Sequence, residues 1–439
     1  MSEAGNIAIL LRGAAGSALT PACVHLRSLP TRFAAPSQPG LHLASMQRSA
    51  NLPEPDAAAR AASALLEAQI RAEIAVSGGA ISFARYMELA LYTPNLGYYC
   101  GGAAKFGAAG DFVTAPEISP LFGQALARQV AQVCAASAPR VLEFGAGSGK
   151  LAAHLLLELA HLGAPCERYA ILELSGELRA RQQRTIATLA PRQAHQVEWL
   201  CTLPDKIEGC VIANEVLDAM PVHLVRWRAH GASEQMVAAT PNGFAFTERP
   251  LDPALQADAD EIASDHPLPL HQLPDGYTSE IHPAARAWAA ELARRLTRGA
   301  ALLIDYGFPA AEYYHPQRAS GTLKAHYRHH ALDDPFYLPG LCDLTAHVDF
   351  SAIALSAQSA GLDVAGYTSQ AQFLINCGIT GLLERTGPNQ ARAYLPIANQ
   401  AQRLLSPAEM GELFKVLALS KGLGEDWLGF TNGNRAHTL

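Results

Sequence analysis

Basic residues are in short supply: 33 lysines and arginines stand against 40 aspartates and glutamates in 439 residues, for a formal net charge of −7. The chain has no overall field to gather nucleic acid or anionic lipid, so a nucleic-acid partner is not expected. No stretch of 18 uninterrupted apolar residues occurs, which excludes a membrane-spanning helix and membrane insertion. The 8 cysteines are scattered, with no CxxC pair and no His/Cys cluster at zinc spacing. A metal centre and a disulfide framework are therefore not expected, and the thiols read as reduced. Acidic residues are also missing from Ala4 to Pro53, while Arg12, Arg27, Arg32 and Arg48 recur among alanine, serine and leucine. Two readings of this tail stand. It is a disordered extension of a cytoplasmic protein, with Met46 as the working initiator, or a presequence for the mitochondrial matrix. The prolines at 21, 30, 36 and 39 interrupt a continuous amphipathic helix and favour the first.

What is present suits a large folded core: 49% hydrophobic and 17% charged residues. Alanine, leucine and isoleucine recur at helical spacing from Asp56 to Val76, and Ser82 is placed to cap a second helix. Residues 101 to 120 are a long loop punctuated by glycine and proline, a length that points to function. Pro120 to Ser137 reads as a helix. From residue 140, short apolar strands alternate with helices: "RVLEF", "YAILEL", "QVEWL" and "GCVIANEV". Such alternation means parallel strands joined by right-handed crossovers, an α/β fold with a mostly parallel sheet. "VHLVRWR", "EQMVAA" and "GFAFTER" read as an antiparallel insertion turning at Asn242-Gly243. A helix over 283–298 leads into the buried strand "GAALLIDYG". The remainder reads as a helix, the strand "DVAGYTS", two helices between 388 and 421, and a last strand near Gly429.

The turn "EFGAGSGKLA" sets Gly145, Gly147 and Gly149 at alternate positions between the first strand and its helix. A dinucleotide fingerprint needs its third glycine where Lys150 stands, which weakens a nicotinamide oxidoreductase. A phosphate-binding P-loop fails on spacing, and Leu151 stands where its serine or threonine would bind magnesium. The pattern, with Glu173 ending the second strand about 28 residues on, resembles instead the S-adenosylmethionine site of class I methyltransferases. That ligand has no pyrophosphate. The glycines would let its methionine moiety approach the backbone, with its carboxylate toward unpaired N–H groups at the helix start. Glu143 would attract its ammonium and Glu173 its ribose hydroxyls, although Glu173 before Ser175 also reads as an ordinary capping acid. Trp199 is placed to wall the adenine or to sit in the core.

Ligands of open α/β sheets lie beyond the carboxyl ends of the strands. Two polar clusters fall there: "NEVLDAMP", with Asn214, Glu215 and Asp218, and "IDYG", with Asp305 and Tyr306. Acids at that mouth suit a cationic acceptor, because a guanidinium pairs with carboxylates through parallel hydrogen bonds. Glu215 is the first candidate to orient it, with Asp218 as helper. Capping acids are the competing reading. His347 in "DLTAHVDF" is either an orienting group at the acceptor pocket or a structural histidine. Lys324, His326, Arg328, His329 and His330 in "GTLKAHYRHH" form a basic cluster, or a solvated loop.

"YMELALYTPNLGYY", "GDFVTAPEIS", "EFGAGSGKLA", "NEVLDAMPV", "GTLKAHYRHH" and "DLTAHVDF", in that order, resemble the MidA family of S-adenosylmethionine-dependent methyltransferases over roughly residues 80 to 430. Its mitochondrial members are protein arginine methyltransferases that assist assembly of respiratory complex I; bacterial members have no established substrate. The resemblance implies a Rossmann-like, seven-stranded class I core, S-adenosyl-L-methionine as methyl donor, and symmetric ω-N dimethylation of an arginine in a respiratory-complex subunit. It maps the glycine motif onto Gly145, Gly147 and Gly149 and an acidic ribose ligand onto Glu173; Asn214, at the end of its strand, is counted with the candidate cofactor contacts. It implies that Gly110 to Glu117 folds over the cofactor. His154 departs from the aspartate expected in the helix after the glycine turn. The expected organisation is an extension over 1–55, a helical and cofactor-covering segment over 56–137, and a methyltransferase core over 138–439 with insertions at about 220–280 and 310–345. Transfer to lysine or a small molecule, and a cofactor-binding assembly factor without transfer, are the alternatives. Oligomeric state is left open, a dimer included.

Overall fold

The computed structural model describes residues 52–101, 114–228, 231–265, 273–387, 391–424 and 426–439. The amino-terminal extension up to residue 51 and the first half of the Gly110–Glu117 segment lie outside these residues. Seven strands make the central sheet: β1 (Arg140–Phe144), β2 (Arg168–Leu172), β3 (Val197–Leu200), β4 (Ile207–Asn214), β5 (Leu296–Phe308), β6 (Asp363–Ser369) and β7 (Phe414–Lys421). Their spatial order is β3-β2-β1-β4-β5-β7-β6. β1 to β5 run parallel, and β7 inserts antiparallel between β5 and β6. This is the class I methyltransferase sheet. Val348–Asp349 adds a short parallel pairing at the end of β5.

The strands read as near-continuous apolar runs because both faces are covered. Along β5, Ala300, Leu302 and Ile304 enter one core with the helices Pro120–Ala136 and Lys150–His161, while Ala301 and Leu303 enter the other with Pro283–Arg295 and Phe350–Ser359. Entry into β4 and β5 is tight. Gly209 (φ 117°) and Gly299 (φ 136°) face one another, and a Cβ on Gly299 would lie 1.9 Å from the Gly209 carbonyl oxygen. Gly299→Ala is expected to cost about 3 kcal/mol or more, since backbone rather than a flexible side chain must move. Denaturant melts would check this, and an unchanged midpoint would contradict the contact.

The antiparallel insertion forms a second sheet. Gly231–Thr240 pairs with His223–Arg228 and, on its other side, with Gly243–Pro250. The segment preceding the core contributes to it: Ile81–Ser82 pairs with Met236 and Val237. Leu66, Ile70 and Ile74 of helix Ala57–Val76 and Phe83, Tyr86 and Met87 of helix Phe83–Tyr92 share a core with Val222, Leu224 and Val237. Asp56 and Ser82 cap these two helices. A three-stranded sheet, His330–Leu332, Lys324–Tyr327, Asp343–Thr345, closes the same side. Among the described residues, no helix is long and apolar enough to cross a membrane.

Two expectations fail near the carboxyl end. Among the described residues, one helix, Ala391–Leu405, lies where two were expected between 388 and 421, because "FKVLALSK" is strand β7. The region near Gly429 is a short 3-10 turn, Leu428–Phe430, rather than the last strand. The inner residues of β7, Val416–Leu419, are apolar and buried on both faces, so they carry no alternation to separate strand from helix.

Candidate active site

The carboxyl ends of β2, β1, β4 and β5 open on one cavity of about 890 Å³. The glycine turn forms its floor: Gly145, Gly147 and Gly149 all adopt positive φ (61°, 52° and 84°). They serve different ends. A Cβ on Gly149 would meet the Cα of Gln182 at 3.0 Å, so that glycine lets helix Gly176–Leu189 pack; one on Gly147 would meet no atom of the described residues within 4 Å. Gly145 and Gly147 line the cavity with Glu143, Glu173 and Asn214, while Gly149 is buried behind them.

Glu173 is buried at the cavity wall. Its Oε1 accepts from Leu174 N and Ser175 N, both at 2.9 Å, and its Oε2 from Gln182 Nε2 at 2.9 Å. Ser175, not Glu173, caps the following helix. A carboxylate has about four acceptor positions, so these partners leave one open, on Oε2. Gln182 also donates to the Gly147 carbonyl at 3.2 Å and accepts from Trp199 Nε1 at 2.9 Å. Trp199 is outside the cavity wall; its indole fixes the amide that holds both Glu173 and the glycine turn. Trp199→Phe removes that donor, and cofactor affinity is expected to fall about three- to ten-fold, the worth of one hydrogen bond, with the fold retained. Calorimetry would show it, and undiminished affinity would break the chain of contacts.

Glu143 is buried, accepts from Tyr169 Oη at 2.8 Å, and has its pKa pushed up to about 7 by burial. The buried Oδ1 of Asn214 has no hydrogen-bond partner among the described residues. An orphaned acceptor beside a buried acid, over a turn open to a ligand, fits the ammonium and methionine moiety of S-adenosylmethionine. From the other side, Glu117 of helix Ala115–Ile118 accepts from Ser148 Oγ and from Lys150 Nζ, the latter at 2.7 Å. His154 packs against Gly123, and its Nδ1 has no partner.

The other end of the cavity carries Glu215, Asp218, Asp343, Tyr92, Tyr99 and Tyr306. Glu215 sits in the left-handed region, φ 52°, at a cost of about 1–2 kcal/mol. Its Oε1 accepts from Asn214 Nδ2 at 3.1 Å and its Oε2 from Tyr306 Oη at 3.3 Å. Burial first, then the Asp305 charge, pushes its pKa up to about 8; burial followed by Asp305 and Asp343 pushes Asp218 well above the usual carboxylate range. Tyr99 donates to Asp343 Oδ1 at 2.8 Å, and Tyr92 to the Ala219 carbonyl at 2.9 Å. His347 does not line this cavity. Its ring stacks behind Tyr306 with centroids 6.0 Å apart, and burial lowers its pKa to about 4, so it is neutral. Sequence reasoning passed over Tyr92, Tyr99 and Gln182; the tyrosines of "LYTPNLGYY" were the available signal.

The sheet order, the glycine turn and the acidic β2 end define a class I S-adenosylmethionine-dependent methyltransferase. Residues 121–368 match the family described as "Putative S-adenosyl-L-methionine-dependent methyltransferase". The mouse protein arginine methyltransferase NDUFAF7, mitochondrial, is 32% identical, covering 78% of this chain and 81% of its own. Its Drosophila melanogaster homologue is 30% identical over 84% and 88%. A crystal structure from Burkholderia thailandensis, bound to S-adenosyl-homocysteine, superposes with a TM-score of 0.84 at 52% identity, covering 89% of this chain and 100% of that one. The chain belongs to this methyltransferase family, and S-adenosyl-L-methionine is the family's cofactor.

Proposed function

We propose that the protein transfers methyl groups to arginine side chains of a protein substrate, with Glu215 as the residue that orients the guanidinium and Asp218 assisting it. One observation carries this reading: Glu215, Asp218 and Asp343 share the tyrosine-walled end of the cavity, and no lysine or arginine is among the described residues lining it. A guanidinium supplies the missing positive charge and the planar donor pair that two carboxylates accept. The relatives named protein arginine methyltransferase support the same acceptor. The family resemblance points further, to symmetric dimethylation of a respiratory-complex subunit.

The bound donor supplies an electrophilic methyl group. The chain's task is alignment: Glu215 turns one guanidinium nitrogen toward that methyl and concentrates electron density on it. As the new N–C bond forms, the methyl's bond to the donor sulfur would break with its electron pair left on sulfur, the nitrogen becomes acidic, and its proton passes to Glu215 or water. Glu143, Asn214, Gly145, Gly147 and Glu173 hold the donor. Incubation with labelled donor and host lysate, followed by mass spectrometry, should find methylarginine that disappears when the gene is deleted. Label on lysine or a small molecule would replace the acceptor, and tight donor binding without transfer would favour an assembly factor.

The acceptor carboxylate must be charged. With Glu215 held up to about 8, its carboxyl is neutral below that pH in the absence of acceptor. The ratio kcat/KM, which reports the free enzyme, is expected to rise between about pH 7 and about pH 9, and Glu215→Gln to lose that limb. A flat profile across this window would remove Glu215 from the role.

A further inference from the structure

Asp305 ends the inner run of β5, is 1% exposed, and is not part of the cavity wall. Its partners are four backbone N–H groups rather than a cation. Oδ2 accepts from Val216 (3.1 Å), Leu217 (2.9 Å) and Asp218 (3.3 Å), and Oδ1 from Tyr306 (2.9 Å). Three of these donors are consecutive residues of the turn that leaves β4, and they immediately follow Glu215. Glu215 is held from behind as well, its own N–H donating to the Ile304 carbonyl at 2.9 Å. The next residue on β5, Tyr306, places its hydroxyl on the Glu215 carboxylate.

We propose that Asp305 is the positioning residue for Glu215: one buried carboxylate gathers the turn 216–218, keeps Glu215 in its left-handed conformation, and thereby fixes where the acceptor meets the methyl group. The inference rests on the reading of Glu215 as the group that orients the acceptor. The logic is mechanical. A non-glycine residue at φ 52° persists only where the surroundings over-determine it, and hydrogen bonds to a carboxylate are the strongest available for holding three N–H groups on one point. Asparagine at 305 could present an acceptor to only one side. Its NH₂ would face either the Tyr306 N–H or the three turn N–H groups, donor against donor. The turn would then relax, and the Glu215 carboxylate would move off the line of transfer.

The test compares Asp305→Asn with Asp349→Asn in the full-length protein. Asp349 is another buried aspartate; it accepts from Ala352 N and Tyr314 Oη, away from the cavity. Both variants should lose thermal stability and keep the wild-type dissociation constant for S-adenosylmethionine by calorimetry. Only Asp305→Asn should lower kcat, on the order of 100-fold, as expected for misplaced reacting groups. Should it fail to fold, Asp305→Glu, which keeps the charge but moves it by one methylene, is expected to give the same split. Wild-type kcat in the Asp305 variant, or an equal fall in Asp349→Asn, would overturn the proposal. A crystal structure of the folded Asp305 variant separates the two readings. If wild type fails to methylate arginine, the acceptor assignment falls, and the positioning role then stands or falls on whether Glu215 has left the left-handed region.

Discussion

Glu215→Gln should cut methyl transfer about 100-fold while leaving S-adenosylmethionine affinity within several-fold. The substitution preserves shape and one acceptor atom but removes the charge that would pair with a guanidinium, and charge-assisted hydrogen bonds of this kind are worth about 1.5–3 kcal/mol. The amide would also bring an NH₂ group to a place where Asn214 Nδ2 and Tyr306 Oη already donate. At the donor end Glu143, Glu173 and the glycine turn hold their own partners; Asn214, which donates to Glu215, is the shared contact and accounts for the several-fold allowance. Single-turnover transfer from labelled donor, beside calorimetric titration, reads the two effects separately. Undiminished transfer would strip Glu215 of its role, and a matching loss of donor affinity would move it to the cofactor side.

Gly147→Val is expected to abolish cofactor binding outright while the protein remains folded. A Cβ at this position meets no atom of the described residues within 4 Å, so the branched side chain would project into the cavity rather than into packing. The positive φ of 52° adds strain that valine tolerates poorly. Gly147→Ala, with one carbon in the same space, should give an intermediate loss. Gly149→Val would be a different experiment: there the Cβ meets Gln182 at 3.0 Å, so helix packing fails first. Donor affinity unaltered in Gly147→Val would mean that the ligand does not approach this turn.

The strands β1 to β5 and the glycine turn were legible because local pattern and environment agree: buried parallel strands are apolar throughout, and their polar ends mark the edge where ligands collect. Asn214, Glu215 and Asp218 were picked out by that rule, and Glu173 by its spacing from the glycine turn; all four line one cavity. β7 was not, since "FKVLALSK" carries no period that distinguishes a doubly buried strand from a helix. Trp199 and His347 were recognised as residues of interest, yet their positions depend on partners. Trp199 reaches the site through Gln182, 17 positions away. His347 reaches it through the Tyr306 ring. The left-handed Glu215 lies in a stretch without glycine, and the aspartate that gathers its turn is 87–89 residues distant in sequence. Contacts of that span leave no local trace.

Lys150, which opens the helix after the glycine turn, is already paired with Glu117. Glu117, Glu143, Glu173 and Glu177 line that end of the cavity. Adenine nucleotides share half of their chemistry with the methyl donor and are abundant competitors in any cell, yet a triphosphate would arrive here as a polyanion against a wall of carboxylates. On the proposed reading of this site, the four carboxyl side chains are expected to disfavour an adenosine compound that carries phosphates from its ribose relative to one that carries a sulfonium and an ammonium.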